Sequence, residues 1–249
     1  LENEHSVNKT ANAGKTINIA IDGPSGSGKS TLARNIAKAL GLIYIDSGSL
    51  YRAVGFFMLQ NGIPTKNSGK VAGALDLINI EMLLEDGGGR VYLNGKKLGC
   101  EIRTDSVSEA ASDISKIPAV RAKLLDIQRK TAKEQNCVID GRDIGSVVLP
   151  FADVKIFLSA EHGERAKRRY GDLLSLQNSG EVTLGAVKEH MAKRDENDIT
   201  REHSPLVPAK DAFLLDNTNL APEETLGRAL KIIEDVTKLK WKNRNITLK

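Results

Sequence analysis

The chain has 249 residues, of which 40% are hydrophobic and 27% charged, with a formal net charge of +4: an ordinary globular profile with enough apolar material for a core domain and insertions. No apolar run approaches the roughly 20 residues needed to cross a bilayer and nothing at the N-terminus reads as a signal peptide, so no membrane partner is expected. The mild positive charge suits an anionic substrate but is too weak by itself to argue for nucleic acid as a partner.

In chain order, residues 1–15 are polar, aperiodic and begin without Met, and are expected to be a disordered leader. From Thr16 short apolar runs alternate with longer helical stretches, the pattern of a parallel sheet flanked by helices. Strands are predicted at 17–21, 42–45, 138–140, 154–158 and 212–215, and helices at 29–40, 120–134, 161–176, 184–195 and 222–239. One stretch breaks the rhythm. Residues 80–84, the turn Asp86-Gly87-Gly88-Gly89, residues 91–93 and then Asn94-Gly95 read as a small antiparallel insert distinct from the main sheet, because those turn residues supply the positive φ angles of tight hairpins. The basic tail from Lys238 onward is expected to be a frayed, solvated end rather than a nucleic-acid arm. Cys100 and Cys137 match no metal or redox spacing and are expected to stay reduced, as in a cytoplasmic protein.

The motif that carries chemistry follows the first strand. Gly23-Pro24-Ser25-Gly26-Ser27-Gly28-Lys29-Ser30 fits G-x-x-x-x-G-K-[ST] at every fixed position, between the β-branched run Ile17, Ile19, Ile21 and a helix with apolar Leu32, Ile36, Ala37 and Leu40. Glycines let backbone N–H groups turn inward around phosphates, and the helix N-terminus adds its unpaired N–H groups. Lys29 should reach the β- and γ-phosphates of ATP, and the Ser30 hydroxyl is placed to ligate Mg²⁺; Thr31 completes the ATP-binding set. The loop alone does not choose between a kinase, a GTPase and a motor ATPase. The sequence lacks the N-K-x-D element of GTPases and the L-S-G-G-Q of transporter ATPases, and it carries arginines beyond the loop that suit a second, phosphorylated substrate.

Three further stretches carry a resemblance: Asp46-Ser47-Gly48-Ser49-Leu50-Tyr51-Arg52 after the second strand, Asp140-Gly141-Arg142-Asp143 after the third, and Ile21-Asp22-Gly23-Pro24-Ser25-Gly26 at the loop. With Gly99-Cys100-Glu101-Ile102-Arg103-Thr104, Pro205-Leu206-Val207-Pro208-Ala209 and the hairpin insert, they make residues 17–230 resemble the bacterial cytidylate kinases, which phosphorylate CMP and dCMP. The resemblance implies that Arg52 and Arg142 grip the CMP phosphate, for which a permanently charged planar fork is suited. It places Asp140 near the transferring phosphoryl group and its metal; by residue type alone a helix N-cap is the alternative. Ser47, Arg121, Asp143 and Arg201 resemble the cytosine readers, where a carboxylate beside guanidinium groups meets one amine donor and two acceptors. For Arg121 a solvated basic helix face is the alternative. Ser112, Arg194 and Asp198 resemble the ribose contacts, and Arg103 a further arginine on the CMP side. Arg165 and Arg169 are the candidates for neutralising the transferring group from a lid, with structural ion pairs explaining them as well.

The architecture expected is a P-loop α/β domain over residues 16–240. Its core comprises 16–45, 119–160 and 204–240, the CMP-binding region is 46–118 with the insert at 76–105, and the lid is 161–203. A polar hinge is expected at Gln177-Asn178-Ser179-Gly180, and a basic tail at 241–249. The expected activity is phosphoryl transfer from ATP to CMP or dCMP, in a cytoplasmic monomer. Two rivals stay open: a P-loop kinase for UMP, AMP or a sugar, and a non-catalytic nucleotide-dependent RNA-binding module.

Overall fold

Ile19, Ala20 and Ile21 are fully buried, so the first strand has both faces covered, as the middle of a parallel sheet requires. In the computed structural model, which describes residues 16–85, 87–175 and 182–239, that strand is β1 (Asn18–Asp22). It pairs in parallel with β6 (Cys137–Gly141) on one side and β7 (Val154–Ser159) on the other. Outside these lie β2 (Ile43–Asp46), parallel to β6, and β8 (Phe213–Asp216), parallel to β7. The order across the sheet is β3-β4-β2-β6-β1-β7-β8. The chain leaves β1 toward β2 but leaves β6 toward β7, on the opposite side of β1. That reversal opens a crevice at the carboxyl ends of β1 and β6, where open α/β sheets hold ligands.

The first helix, α1 (Lys29–Leu40), buries Leu32, Ala33, Ile36 and Ala37. It stops at Gly41, in the left-handed region at φ 68°, whose N–H bonds Ala37 O. Helix α8 (Pro222–Thr237) opens with proline at its start, and the Glu224 carboxylate accepts the Ala221 N–H at 2.9 Å. Both helices pack on β1 and β7 through Ile36, Ile156, Leu230 and Ile233.

The five predicted strands and five predicted helices are present with boundaries displaced by a few residues. Three more helices occupy the region read only as a binding segment: α2 (Ser47–Gln60), α3 (Ser68–Ala74) and α4 (Asp105–Ile114). With α5 (Pro118–Glu134) they enclose a second core around Leu50, Val54, Met58, Ile114 and Leu124. Each such buried side chain contributes about 1.5–3 kcal/mol relative to exposure. The hairpin is antiparallel as expected, β3 (Ile80–Glu85) against β4 (Gly88–Leu93), with β5 (Lys96–Lys97) completing it. It is not separate from the main sheet, however. Gly88 pairs in parallel with Tyr44 of β2, so the insert extends the sheet edge. Helices α6 (His162–Ser175) and α7 (Leu184–Thr200) pack on each other through Ala166, Val187 and Met191. The predicted hinge 177–180, the leader 1–15 and the tail 241–249 lie outside the described residues.

Candidate active site

The phosphate loop fills the crevice at the end of β1. Gly23 has φ 156°, and a Cβ there would lie 2.2 Å from the carbonyl oxygen of Leu158, so no larger residue fits. Gly26 and Gly28 are both left-handed, at φ 72° and 86°. Lys29 opens α1 and its Nζ donates to Pro24 O at 3.2 Å. Burial, and then the positive charge of Arg142, lower the Lys29 pKa to about 7, with Asp140 pulling the other way. One further contact to the loop was not signalled by any motif. Asn217, just past β8, donates to Ser27 O at 3.0 Å, and Arg168 in turn bonds the Asn217 side-chain oxygen at 3.1 Å.

Beside the loop, Asp140 lies inside β6 and not at a helix start. Its two oxygens accept the Ser30 hydroxyl at 2.7 Å and the Tyr44 hydroxyl at 2.9 Å. Burial, and then the nearby Asp46, raise its pKa above the usual carboxylate range. A hydroxyl and a carboxylate paired at the mouth of a phosphate loop are hard oxygen donors of the kind Mg²⁺ takes in such sites, where one or two carboxylates suffice beside substrate phosphates. The residues therefore fit the ion.

Across the cleft, arginines converge from separate elements. Arg52 of α2 pairs with Asp46 at 2.6 Å, and the half-exposed Arg103 approaches the same carboxylate at 3.7 Å. Asp46 also caps α2 by accepting Ser49 N–H at 3.1 Å. Burial opposes its ionisation, but the guanidinium groups of Arg52 and Arg103 outweigh that and hold it below the usual range. Arg142, directly after β6, pairs with Asp198 of α7 at 2.8 Å. Arg194, one helical turn before Asp198, has a buried Nε without a hydrogen-bond partner. Burial and the positive charge of Arg142 lower its pKa to about 10. Arg194 stays charged at neutral pH, and its unpartnered Nε beside Arg142 makes it a candidate for holding an anion.

The proposed base-reading residues also meet. Arg121 of α5 forms a close ion pair with Asp143, and Arg201 approaches the other Asp143 oxygen at 3.6 Å. The Arg121 guanidinium lies 5.8 Å over the Tyr51 ring. With its side chain largely buried, Arg121 is not on a solvated face. Ser47 is buried next to Gly141, where a Cβ would come within 2.6 Å of the serine hydroxyl, so glycine is required for the close approach of β6 to α2. Ser112 and Thr31 line the same cleft, which has a volume of about 1220 Å³.

The lid candidates differ from each other. Arg165 is buried and engaged three times, donating to Ala160 O and Ser25 O at 2.9 Å and pairing with Asp195 at 2.6 Å. It braces α6 and α7 against the phosphate loop, which favours the structural reading of this residue. Arg169 is half-buried, lines the cleft and bonds Asp105 of α4 at 3.2 Å.

Comparison with known proteins agrees with this geometry. Residues 19–235 match the family model described as cytidylate kinase. A cytidylate kinase from Caldicellulosiruptor saccharolyticus is 46% identical over 89% of this chain and 97% of its own length. One from Caldicellulosiruptor bescii is 45% identical over 90% of this chain and 98% of its own. A third, from Carboxydothermus hydrogenoformans, is 44% identical over 87% and 97%.

Proposed function

The chain belongs to the cytidylate kinase family, and from that premise we propose that it transfers the γ-phosphoryl group of ATP to CMP or dCMP by direct in-line attack. The observation that carries this reading is a single cleft lined by Lys29 and Ser30 on one side and by Arg52, Arg142 and Arg194 on the other. Its volume is about 1220 Å³. The acceptor phosphate is already anionic at neutral pH, so no general base is needed, and positioning with charge neutralisation supplies the catalysis.

In this reading Arg52, Arg142 and Arg194 hold the CMP phosphate. The resemblance groups Arg194 with the ribose contacts; the charges acting on it are Arg142, then the carboxylate of Asp198, then Arg52 and Arg169, and three guanidinium groups against one carboxylate favour phosphate. Ser112 and Asp198 remain for the ribose, Arg103 covers the acceptor side, and Ser47, Arg121, Asp143 and Arg201 read the base. Lys29 and the backbone of residues 23–31 hold the donor phosphates. Ser30 and Asp140 would hold Mg²⁺, which when bound neutralises charge on the β- and γ-phosphates. Arg169 is the lid guanidinium suited to the transferring group, since Arg165 is engaged by Ala160 O, Ser25 O and Asp195. Among the described residues no helix is long and apolar enough to cross a membrane. A cytoplasmic monomer that does not bind nucleic acid is the accompanying proposal.

A coupled assay of all nucleoside monophosphates with ATP tests the reading. CMP and dCMP should be turned over far faster than UMP, AMP or any sugar; another preferred acceptor, or no turnover, overturns it. Cytidine should be a very poor substrate, because Arg52, Arg142 and Arg194 then face no anion. Arg142→Lys should lower kcat/KM for CMP about 10²-fold although charge is kept, since an ammonium cannot reproduce the guanidinium fork and a misplaced acceptor is costly. Steady-state kinetics at varied CMP checks this.

The cysteines supply an independent probe of the cleft. Both are unpaired; Cys100 is exposed and lines the cleft, whereas Cys137 is buried and its thiol is pushed up to about 12 by burial. A thiol reagent should label Cys100 and spare Cys137, and CMP should slow the labelling. Mass spectrometry of the labelled peptides reads both outcomes.

A further inference from the structure

The residue that ends β1, Asp22, is buried and takes no part in the assignments above. Its two carboxylate oxygens accept the N–H groups of Ile144 and Gly145, each at 2.8 Å. These are the first N–H groups of the helical turn Ile144–Val148, which directly follows Asp143. A helical turn leaves its opening N–H groups without internal partners, and an Asp at the residue before the turn is well suited to accept from them. Asp143 occupies that position, yet its side chain makes no capping bond. It turns instead toward Arg121 and Arg201. The capping that Asp143 would perform is performed by Asp22, from a strand 121 residues earlier in the chain.

We propose that Asp22 is a positioning residue for base selection: by capping the 144–148 turn from β1, it releases the Asp143 carboxylate to face the pyrimidine base. Asp22 also immediately precedes Gly23, the first residue of the phosphate loop. The same two hydrogen bonds therefore fix the ATP-binding loop to the base-reading loop across the β1–β6 pair. The charged neighbours are consistent with this placement. Asp143 and Arg142 are the groups acting on Asp22, and the aliphatic stem of Lys155 lies against Gly145 on the far side of the turn. Without Asp22, the bare N–H groups of the turn are free to recruit the Asp143 side chain, which would then leave the base site.

The inference rests on the reading of Asp143 as a base reader, so the experiment separates the two. Asp143→Asn, Asp22→Ala, Asp22→Asn and the double variant Asp22→Ala with Asp143→Asn are compared by kcat/KM for CMP and for UMP, with KM for ATP alongside. The expected result is a fall of about tenfold or more in the CMP-to-UMP ratio for Asp22→Ala, beyond any rise in KM for ATP from loosening the phosphate loop, which affects both acceptors alike. In the Asp143→Asn background the same substitution should alter the ratio by less than about twofold, because the reader is already lost. If Asp22→Ala does not fold, Asp22→Asn, which keeps one acceptor and the shape of the side chain, carries the test. An unchanged ratio in Asp143→Asn defeats the base-reader assignment and the proposal with it. A lowered ratio in Asp143→Asn with an unchanged ratio in the Asp22 variants defeats the positioning role alone. Failure of both Asp22 variants to fold makes the residue purely structural and likewise overturns it.

Discussion

Lys29→Ala should lower kcat by about 10³-fold or more while leaving the affinity for CMP within about twofold. The asymmetry follows from where the charge sits. Lys29 opens α1 at the donor side, with its Nζ donating to Pro24 O at 3.2 Å. The acceptor side is built from α2, the end of β6 and α7, which carry Arg52, Arg142 and Arg194. Burial, and then Arg142, lower the Lys29 pKa to about 7, and phosphate oxygens placed against Nζ favour its charged form. A charge that acts mainly as negative charge builds on the transferring group lowers kcat when removed and spares binding of the other substrate. Alanine is a good helix former, so α1 should persist in the variant. Steady-state kcat, together with calorimetric titration of CMP into the variant, measures both quantities. A near-normal kcat would remove Lys29 from the chemistry and the phosphoryl-transfer assignment with it.

The parts of this site that were legible in the sequence are those encoded by local pattern. The phosphate loop announces itself because close backbone approach and a helix start require glycines, a lysine and a hydroxyl at fixed spacing. The central strands β1, β6 and β7 are legible as short apolar runs, since burial on both faces removes polar alternation. Helix α2 is legible in principle through Leu50, Val54, Phe57 and Met58, but its start coincides with the motif that carries Arg52. The attachment of the hairpin to β2 was not legible. It rests on one backbone pair, Tyr44 with Gly88, and backbone pairing between distant segments leaves no side-chain signature. The same holds for the roles of Asn217, Tyr44 and Asp22, each of which acts on a group far away in sequence. Arg165 illustrates the converse. Its position on an amphipathic lid helix suits a catalytic cation, and only its bonds to Ala160 O, Ser25 O and Asp195 favour a bracing role.

Asp143→Asn should lower kcat/KM for CMP and raise UMP relative to CMP, in a protein that stays folded. Asp143 faces Arg121 on one oxygen and Arg201 on the other, in a buried setting beside Tyr51. A carboxylate so held can accept the exocyclic N–H of cytosine while its two arginines supply donors for the ring nitrogen and carbonyl. Uracil presents a carbonyl oxygen in place of the amine, so two acceptors would meet with no proton between them. A site built to accept a substrate N–H can reject the analogue lacking it by up to about 10⁴-fold, because the buried partner is left unsatisfied. Asparagine has nearly the same size but is neutral, and its amide can rotate to offer a donor to uracil or an acceptor to cytosine. It also leaves Arg121 and Arg201 without their counter-charge, which is why absolute activity on CMP should fall even as discrimination relaxes. The measurement is kcat/KM for CMP and UMP in both proteins, with a thermal unfolding curve to confirm the fold. If the CMP-to-UMP ratio stays at its original value, Asp143 does not read the base, and discrimination passes to Arg121 and Arg201, whose donors suit the unprotonated ring nitrogen of cytosine and not the N–H that uracil carries there.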